Sequence, residues 1–247
     1  MWNNKKVAVV IPAYNESERI EETLLTIPDW VDFIIAVDDQ STDDTFKKMQ
    51  SIGNTNPKIQ IIQNHVNQGN GGSIVAGYIK ALELSADILC VMDGDGQMDP
   101  AELHRLVEPV SIGKADMSKG NRFYSLTSFR GMPLFRLIGN LTLTFLNKIA
   151  SGYWKIRDPQ NGFVAVNSKL IKSLPLEKLA KGYNFQNDFL IWAKINKANI
   201  LDIPIKARYR GESSKLNIYG SSKLITKSLW NGYKLRKSLE SSEQLKI

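Results

Sequence analysis

The chain is poor in residues that cross-link or chelate. It has one cysteine, Cys90, and two histidines, His65 and His104, among 247 residues. A lone cysteine within an apolar run excludes an internal disulfide and argues against a thiol nucleophile, and the histidines lack the spacing of zinc ligands. We therefore expect a protein of a reducing compartment that uses neither zinc nor thiol chemistry.

Long apolar segments are also missing. No uncharged apolar stretch reaches the about 18 residues of a membrane-spanning helix. The N-terminal "MWNNKKVAVVIPAYNE" passes from a short polar start into a strand-like run, without the apolar core of a signal peptide. We expect a cytoplasmic protein with no membrane span.

Two common binding loops are excluded by what they lack. The first apolar run is followed by "PAYNES", which has no glycine where a dinucleotide-binding loop requires several. The acidic stretch that starts at Asp93 places Met98 and His104 where a calcium-binding EF-hand requires glycine and glutamate. These absences exclude nicotinamide-dependent hydride transfer and an EF-hand.

The net charge of +7 is concentrated at the C-terminus, where residues 206–247 hold ten Lys or Arg and three Glu. From about residue 222 to 239, one helical face is predicted to carry a basic stripe with one aromatic residue, namely Lys223, Lys227, Trp230, Lys234 and Lys237. Such a stripe suits an anionic membrane interface, and a merely solvated basic end is the alternative. The segment lacks interleaved aromatics and any known module, so we expect no nucleic-acid partner.

Apolar, β-branched runs alternate with helical patterns through the first half. Strands are predicted at 6–11, 33–38, 59–62 and 87–93, and helices at 16–27, 42–52, 71–85 and 100–112. Continuous rather than alternating hydrophobicity indicates strands covered on both faces, hence an α/β fold with a parallel sheet. In the second half we predict helices at 134–150, 183–198 and 222–239. A turn that leads into a strand is predicted at 158–166, and a further strand is predicted at 200–210.

The helix predicted at 134–150 has an apolar face with two interpretations. Periodicity places Leu134, Ile138, Leu141, Phe145 and Ile149 on this face. Most such faces are buried in a core. The other interpretation is that the helix lies against a bilayer together with the basic C-terminal segment.

Each predicted strand of the first half ends in polar residues. The most acidic end is "DGDGQMDP", with Asp93, Asp95 and Gln97 in alternation. Oxygen ligands of this kind suit Mg²⁺ or Mn²⁺, which also hold phosphates. Asp99, directly before Pro100, also fits the N-cap of the next helix.

These strand ends, taken in order, resemble a known family. "PAYNE", "VDDQSTDDT", "NQGNGG" and "DGDGQ" follow the four strands as they do in family 2 glycosyltransferases, which have the GT-A fold. Later, "NRF", "RDPQNGF", "KGYNFQND" and "IPIKARYRGESSKL" resemble the dolichol-phosphate mannosyltransferases and their bacterial polyprenyl-phosphate relatives. The resemblance covers residues 6 to 217. It implies an α/β GT-A domain at 1–217, with a Rossmann-like, mostly parallel sheet and helices on both faces, followed by a basic amphipathic helical tail at 218–247.

The resemblance also implies roles for individual residues. Donor-binding positions are Pro12, Tyr14, Glu16, Asp39, Asp93, Asp95, Arg208 and Lys215, with Ser214 beside the last. The metal positions are Asp93, Asp95 and Gln97, with Asp95 the foremost. The acceptor phosphate would meet Arg122, Arg136 and Asn140, and the catalytic set would be Asp95, Arg122, Asp158 and Asp188. Two departures stand out: the family more often has a lysine or apolar residue at Asn70 and, in dolichol-phosphate enzymes, a serine at Asn140.

The expected reaction is inverting, metal-dependent transfer of a hexose from GDP-mannose or a UDP-hexose to a polyprenyl phosphate such as dolichyl or undecaprenyl phosphate. The expected place is the cytoplasmic face of a membrane, with the protein bound peripherally. One alternative is a family 2 enzyme that uses a glycan or other hydroxyl acceptor in cell-surface polysaccharide synthesis, for which a carboxylate would act as base. Another is a binding protein with a decayed site.

Overall fold

The computed structural model describes residues 1–124, 134–206 and 218–244. Seven strands form one sheet: β1 (Val7–Ala13), β2 (Phe33–Asp38), β3 (Ile59–Gln63), β4 (Ile88–Val91), β5 (Met117–Asn121), β6 (Val164–Asn167) and β7 (Ile200–Pro204). Their order is β3-β2-β1-β4-β6-β5-β7, and only β6 runs antiparallel to its neighbours. The predicted α/β class with a mostly parallel sheet is confirmed.

The sheet is covered on both faces, as the continuous hydrophobicity of its strands predicts. Val7, Val9 and Ile11 of β1 pack into one core, and Ala8 and Val10 pack into the other. The first core takes α1 (Ile20–Leu25), α2 (Thr45–Gly53) and α4 (Leu103–Ser111), which follows a 3₁₀ turn at Pro100–Glu102. The second takes α3 (Gly69–Glu83), α6 (Ser168–Ser173) and α7 (Phe185–Ile195).

The first half matches the predicted elements to within a few residues, whereas the second half adds elements that the sequence pattern does not predict. β5, "MSKGN", is fully buried but too rich in polar and small residues to read as a strand. The short helix α6 is also absent from the predicted elements. β6 is predicted as a strand, but its antiparallel insertion between β4 and β5 is not.

Two long helices, α5 (Leu134–Ser151) and α8 (Ile218–Gln244), pack against each other and against α7. Arg236 of α8 joins them, because its Nε donates to the Ala150 carbonyl (2.9 Å) and its Nη2 to the Ile149 carbonyl (3.0 Å). These carbonyls belong to the last turn of α5, where a cation is favoured by the helix dipole. No helix within the described residues is both long and apolar enough to cross a membrane. The predicted boundary at 217/218 coincides with the start of α8, and the division into two domains stays a prediction.

Candidate active site at the carboxyl edge of the sheet

The topology brings the separate polar motifs to one edge. β1, β2, β3 and β4 are parallel, and β6 reverses direction between β4 and β5, so β5 and β7 point the same way as β4. Strand order reverses at β1 and β4, since β2 and β3 extend to one side of β1 and β4 lies on the other. Ligands of open α/β sheets bind at such a point, beyond the carboxyl ends of the strands. Pro12 and Asp93 flank it directly.

The segment after β1 is held by the segment after β2. Asn15 adopts φ +54°, its N–H donates to Ser41 Oγ (3.0 Å), and its Oδ1 accepts from the Thr42 N–H (2.8 Å). The Glu16 N–H donates to Thr45 Oγ1 (2.8 Å). This mutual support leaves Tyr14 at the rim with 45% of its surface exposed, where an aromatic ring can meet a planar base.

Asp39 is buried and organises the next loop. Its Oδ1 accepts from Asn64 Nδ2 (2.7 Å) and the Gln68 N–H (2.8 Å), and its Oδ2 accepts from the Gly69 N–H (2.8 Å). Gly69 has φ +75°, and a Cβ there would lie 2.7 Å from the Lys181 carbonyl oxygen, so the position requires glycine. The carboxylate thus shapes the N-terminus of α3, and its contact with a nucleoside stays a prediction.

The Asp93–Gln97 loop is tied to β1 and α1. The Gly94 N–H donates to the Pro12 carbonyl (3.1 Å), and Arg19 Nη1 donates to the Asp95 carbonyl (3.2 Å). Asp95 Oδ1 accepts from the Gln97 N–H (2.9 Å), which closes a tight turn. The loop therefore presents Asp93 and Asp95 side by side at the switch point.

Asp93 carries the clearest electrostatic signal of the site. Part of the residue remains accessible, but burial of its carboxyl group and the charge of Asp95 raise its pKa to about 7. A hydrogen bond from Asn70 and the charge of Arg122 oppose the rise, and Glu16 adds to it. Two neighbouring carboxylates that repel each other in this way are suited to bind a cation.

The side-chain oxygens of this loop fit a divalent cation that is also bound by the phosphates of a substrate. Among the described residues, no three His, Cys, Asp or Glu side chains converge as a complete metal cage. Mg²⁺ is commonly bound by one or two carboxylates together with substrate phosphates and water. Asp93 and Asp95 supply that pair, and Gln97, two residues on, follows them in the same loop.

Arg122 and Asp158 form a two-point ion pair beside this loop. Arg122 follows β5 and Asp158 precedes β6, so both reach the same edge. Arg122 Nε donates to Asp158 Oδ2 (2.7 Å) and Nη2 to Oδ1 (3.1 Å), and the Arg122 backbone N–H adds a third bond (3.2 Å). Asp158 is 1% exposed and the Arg122 side chain 30%. Asp158 therefore acts on Arg122 and holds it at the rim.

Asp188 lies in the first turn of α7 and faces α8. Its Oδ1 accepts from Ser228 Oγ (2.5 Å) and its Oδ2 from the Ala180 N–H (3.2 Å). Burial raises its pKa, and these two hydrogen bonds oppose the rise. It lines a groove of about 550 Å³ between α7 and α8 together with Ser228 and Trp192. A catalytic role for Asp188 stays a prediction.

Five predicted site residues cannot be placed fully. Arg208 and Lys215 lie outside the described residues, as does Ser214. Arg136 and Asn140 belong to α5, but their side chains lie outside the described part. Their assignments to the donor diphosphate and the acceptor phosphate stay predictions.

One ionisable group of the site is not predicted by the sequence. Lys119 of β5 is fully buried, donates to the Asn161 carbonyl, and donates to Gln186 Oε1 at 3.1 Å. Burial lowers its pKa to about 7, against the opposing charge of Asp158, while Arg122 lowers it further. A lysine three residues before the predicted phosphate-binding Arg122 is the only signal that the sequence offers.

Comparison with known proteins settles the family. The family model described as glycosyl transferase family 2 matches residues 8–174. The chain belongs to glycosyl transferase family 2. The predicted resemblance and the expectation of an enzyme are confirmed, and this chain is a glycosyltransferase.

Curated relatives place the glycosyltransferase beside lipid-phosphate enzymes. It is 34% identical to a UDP-N-acetylglucosamine–dolichyl-phosphate N-acetylglucosaminyltransferase of Methanococcus voltae, over 83% of this chain and 87% of the relative. It is 30% identical to an undecaprenyl-phosphate mannosyltransferase of Micrococcus luteus, over 84% and 86%. These relatives confirm the predicted resemblance to the dolichyl- and polyprenyl-phosphate branch.

A solved structure confirms the GT-A fold class. The glycosyltransferase superimposes on glucosyl-3-phosphoglycerate synthase of Mycobacterium tuberculosis with a TM-score of 0.71 and 20% identity, over 94% of this chain and 80% of the other. That synthase was crystallised with Mn²⁺, UDP-glucose and phosphoglyceric acid. At this identity the likeness concerns the fold alone.

Proposed function

We propose that this glycosyltransferase moves a sugar from a nucleoside diphosphate sugar to a polyprenyl phosphate at a membrane surface, with a divalent cation and with inversion at the anomeric carbon. The observation that carries the proposal is the guanidinium of Arg122. It is held by Asp158 at the same sheet edge as the carboxylates of Asp93 and Asp95.

The donor half of the proposal is supported by the switch point between β1 and β4. Tyr14 is exposed there, where it can meet the nucleoside, and Asp93 and Asp95 lie where a diphosphate would end. These two residues would hold the cation, with Gln97 as the further predicted ligand, and the cation would offset charge on the departing diphosphate. The pKa of Asp93 at about 7 fits a carboxyl that ionises fully when a cation binds.

The acceptor half is supported by the Arg122–Asp158 pair. A guanidinium has five N–H donors in a fixed plane, and a two-point bond to a carboxylate uses two of them. A guanidinium can bind a carboxylate and a phosphate oxygen together, and the 30% exposure of the Arg122 side chain gives an oxygen of the acceptor phosphate access to it. A phosphate acceptor is ionised near neutral pH, so the attacking oxygen needs no strong general base.

The membrane half is supported by exposed apolar residues on α5. Leu141 and Phe145 are 56% and 55% exposed, and Ile149 is 38% exposed, so the described part of the predicted apolar face is not core. On α8, Trp230 is 58% exposed, and Lys234 lies 5.1 Å from the centroid of its ring. An aromatic ring beside lysines is typical of helices that lie in a membrane interface. We place the enzyme peripherally at the cytoplasmic face.

The decisive experiment is a transfer assay with purified protein. Short-chain polyprenyl phosphate, Mg²⁺ or Mn²⁺ and a panel of UDP- and GDP-sugars, N-acetylhexosamines included, are mixed, and lipid-linked sugar is measured by mass spectrometry. We expect product with one donor, and its loss with chelator and in Asp95→Ala. Glu83→Ala, an acidic residue at the far end of α3, is the matched control and should keep full activity.

Two results would contradict this function. Transfer to a sugar hydroxyl, with polyprenyl phosphate ignored, would make the alternative hydroxyl acceptor correct. Transfer that persists undiminished in Arg122→Ala would remove the guanidinium from the acceptor site. Either result leaves the family assignment in place.

Membrane binding is tested separately by flotation with anionic vesicles at low salt. We expect the intact enzyme to float, and Leu141→Ser with Phe145→Ser to reduce the bound fraction. Ile112→Ser, which removes an apolar residue 60% exposed at the end of α4, is the control for general loss of surface hydrophobicity. Failure of the intact enzyme to float would refute the placement at a membrane.

A further inference from the structure

The first turn of α7 accepts hydrogen bonds from β5, α5, α8 and the segment before β6. Three consecutive residues each serve a different partner. Gln186 accepts from Lys119 of β5, and Asp188 accepts from Ser228 of α8. Between them, Asn187 is fully buried and faces α5 and the segment before β6.

The side-chain carbonyl of Asn187 is shared by two donors. Asn147 Nδ2 of α5 donates to it at 2.6 Å, and Gln160 Nε2 donates at 2.7 Å. Gln160 lies two residues after Asp158, the carboxylate that holds Arg122. A single oxygen atom therefore links α5 to the segment that positions Arg122.

Asparagine fits this task in a way that other residues do not. Its carbonyl has two lone pairs for two donors, and it carries no charge. A leucine would leave the amides of Asn147 and Gln160 without an acceptor, and an aspartate would place a charge in the interior. Asn187 keeps this carbonyl even though its own Nδ2 is buried with no hydrogen-bond partner in the described part of the chain. An orphan donor of this kind calls for an explanation, and the double acceptance supplies one.

We propose that Asn187 is a positioning residue that fixes α5 relative to Arg122. α5 carries Arg136 and Asn140, the other predicted ligands of the acceptor phosphate, about two to three turns before Asn147 along the helix. Asn187 thus sets the separation between the two sides of the acceptor site. This inference rests on the proposed function for its kinetic consequence, but not for its structural one.

The kinetic test compares Asn187→Leu with Asn147→Ala and Gln160→Ala. Loss of the shared hydrogen-bond acceptor, the side-chain oxygen of Asn187, should raise the KM for short-chain polyprenyl phosphate by about 10- to 100-fold, since small displacements of binding groups have effects of this size. The KM for the donor sugar should stay within about twofold, because the switch point between β1 and β4 is untouched. Asn196→Leu, an amide removed from the exposed end of the same helix, is the matched control.

Coupling between the two links gives a readout that a general structural defect would not produce. If Asn187 unites them, the effects of Asn147→Ala and Gln160→Ala on acceptor KM will not add up in the double variant, because either change alone breaks the connection. Additive effects would overturn the proposal. A similar rise in the KM for polyprenyl phosphate and in the KM for the donor sugar would also overturn it, since it indicates general damage.

Hydrogen exchange tests the link without any substrate. Asn187→Leu should speed amide exchange both in 134–151 and in 158–161, and leave β1 and β4 unchanged. Faster exchange in both segments supports the link even if the wild-type enzyme proves to use another acceptor, so failure of the proposed function can be told apart from failure of this inference. Unchanged exchange in either segment would overturn it.

Discussion

Replacement of Asp93 by asparagine should stabilise the cation-free enzyme. Burial and the charge of Asp95 raise the pKa of Asp93 from 3.8 to about 7. In the unfolded chain the group returns to its ordinary value, so the native state binds this proton more tightly than the unfolded state does. Such a group lowers stability as the pH rises from about 4, and its effect is complete above pH 7. At pH 8, ionised Asp93 therefore destabilises the native state.

The magnitude follows from the size of the pKa shift. One pKa unit corresponds to about 1.4 kcal/mol, so the shift of Asp93 corresponds to about 4 kcal/mol at full ionisation. Asparagine keeps the shape and loses the charge, and we expect Asp93→Asn to gain about 2–4 kcal/mol at pH 8 in chelator. For a protein of this length, that raises the melting temperature by about 5–15 °C. At pH 4 the wild type and Asp93→Asn should have the same melting temperature.

The assay is thermal unfolding from pH 4 to pH 8, with chelator and with Mn²⁺. Cation should stabilise the wild type more than the variant and reduce or reverse the difference at pH 8, because the ionised carboxyl binds it. Asp99→Asn is a control from the same loop, since Asp99 caps the 3₁₀ turn through the Ala101 N–H. An asparagine oxygen accepts the same bond, so this variant should not show the gain in stability at pH 8 expected of Asp93→Asn. If Asp93→Asn is no more stable than the wild type at pH 8 in chelator, the reasoning from burial and repulsion is wrong.

Three further changes probe the architecture of the site. Asp158→Asn should lower the free energy of unfolding by about 2 kcal/mol, less than the loss of a fully buried pair would, because Arg122 can turn toward solvent. It should also reduce transfer. Urea unfolding measures the first effect and the transfer assay the second, and full turnover would show that Asp158 is not part of the site. Gly71→Ala should cost about 1–3 kcal/mol by overpacking, since its Cβ would lie 2.4 Å from the Ala180 carbonyl oxygen; an unchanged melting temperature would show that this approach can relax. Lys119, whose pKa falls from 10.5 to about 7, should make stability rise with pH between about 7 and 10.5; Lys119→Met should abolish that rise, and its persistence would contradict the burial of the ammonium group.

Much of the first half can be read from sequence because its signals are local. Each strand through β4 is a short apolar run, and a single polar loop follows each one. Parallel strands bring such loops to one edge whatever the details of packing. The amino-acid pattern alone therefore predicts that Tyr14, Asp39, Asp93 and Asp95 lie near one another.

The second half resists prediction because its signals are not local. β5 contains Ser118 and Lys119, whose burial depends on acceptors at Leu106, Asn161 and Gln186. No periodicity within five residues can reveal partners so far away in the chain. The apolar face of α5 predicts a clear helix but not its environment, because amphipathicity is the same for a core and for a membrane.

The same limit applies to the role of Asp158. Sequence resemblance gives a carboxylate near the acceptor, without showing whether it acts on a proton or on a neighbouring side chain. The structure directs both oxygens of Asp158 to Arg122, and an oxygen committed to a guanidinium is a poor proton acceptor. A hydroxyl acceptor would need a base elsewhere, whereas a phosphate acceptor needs its charge held and its oxygen aimed. An arginine fixed by a buried carboxylate supplies what the phosphate requires, so this ion pair favours a phosphate over a hydroxyl as the acceptor.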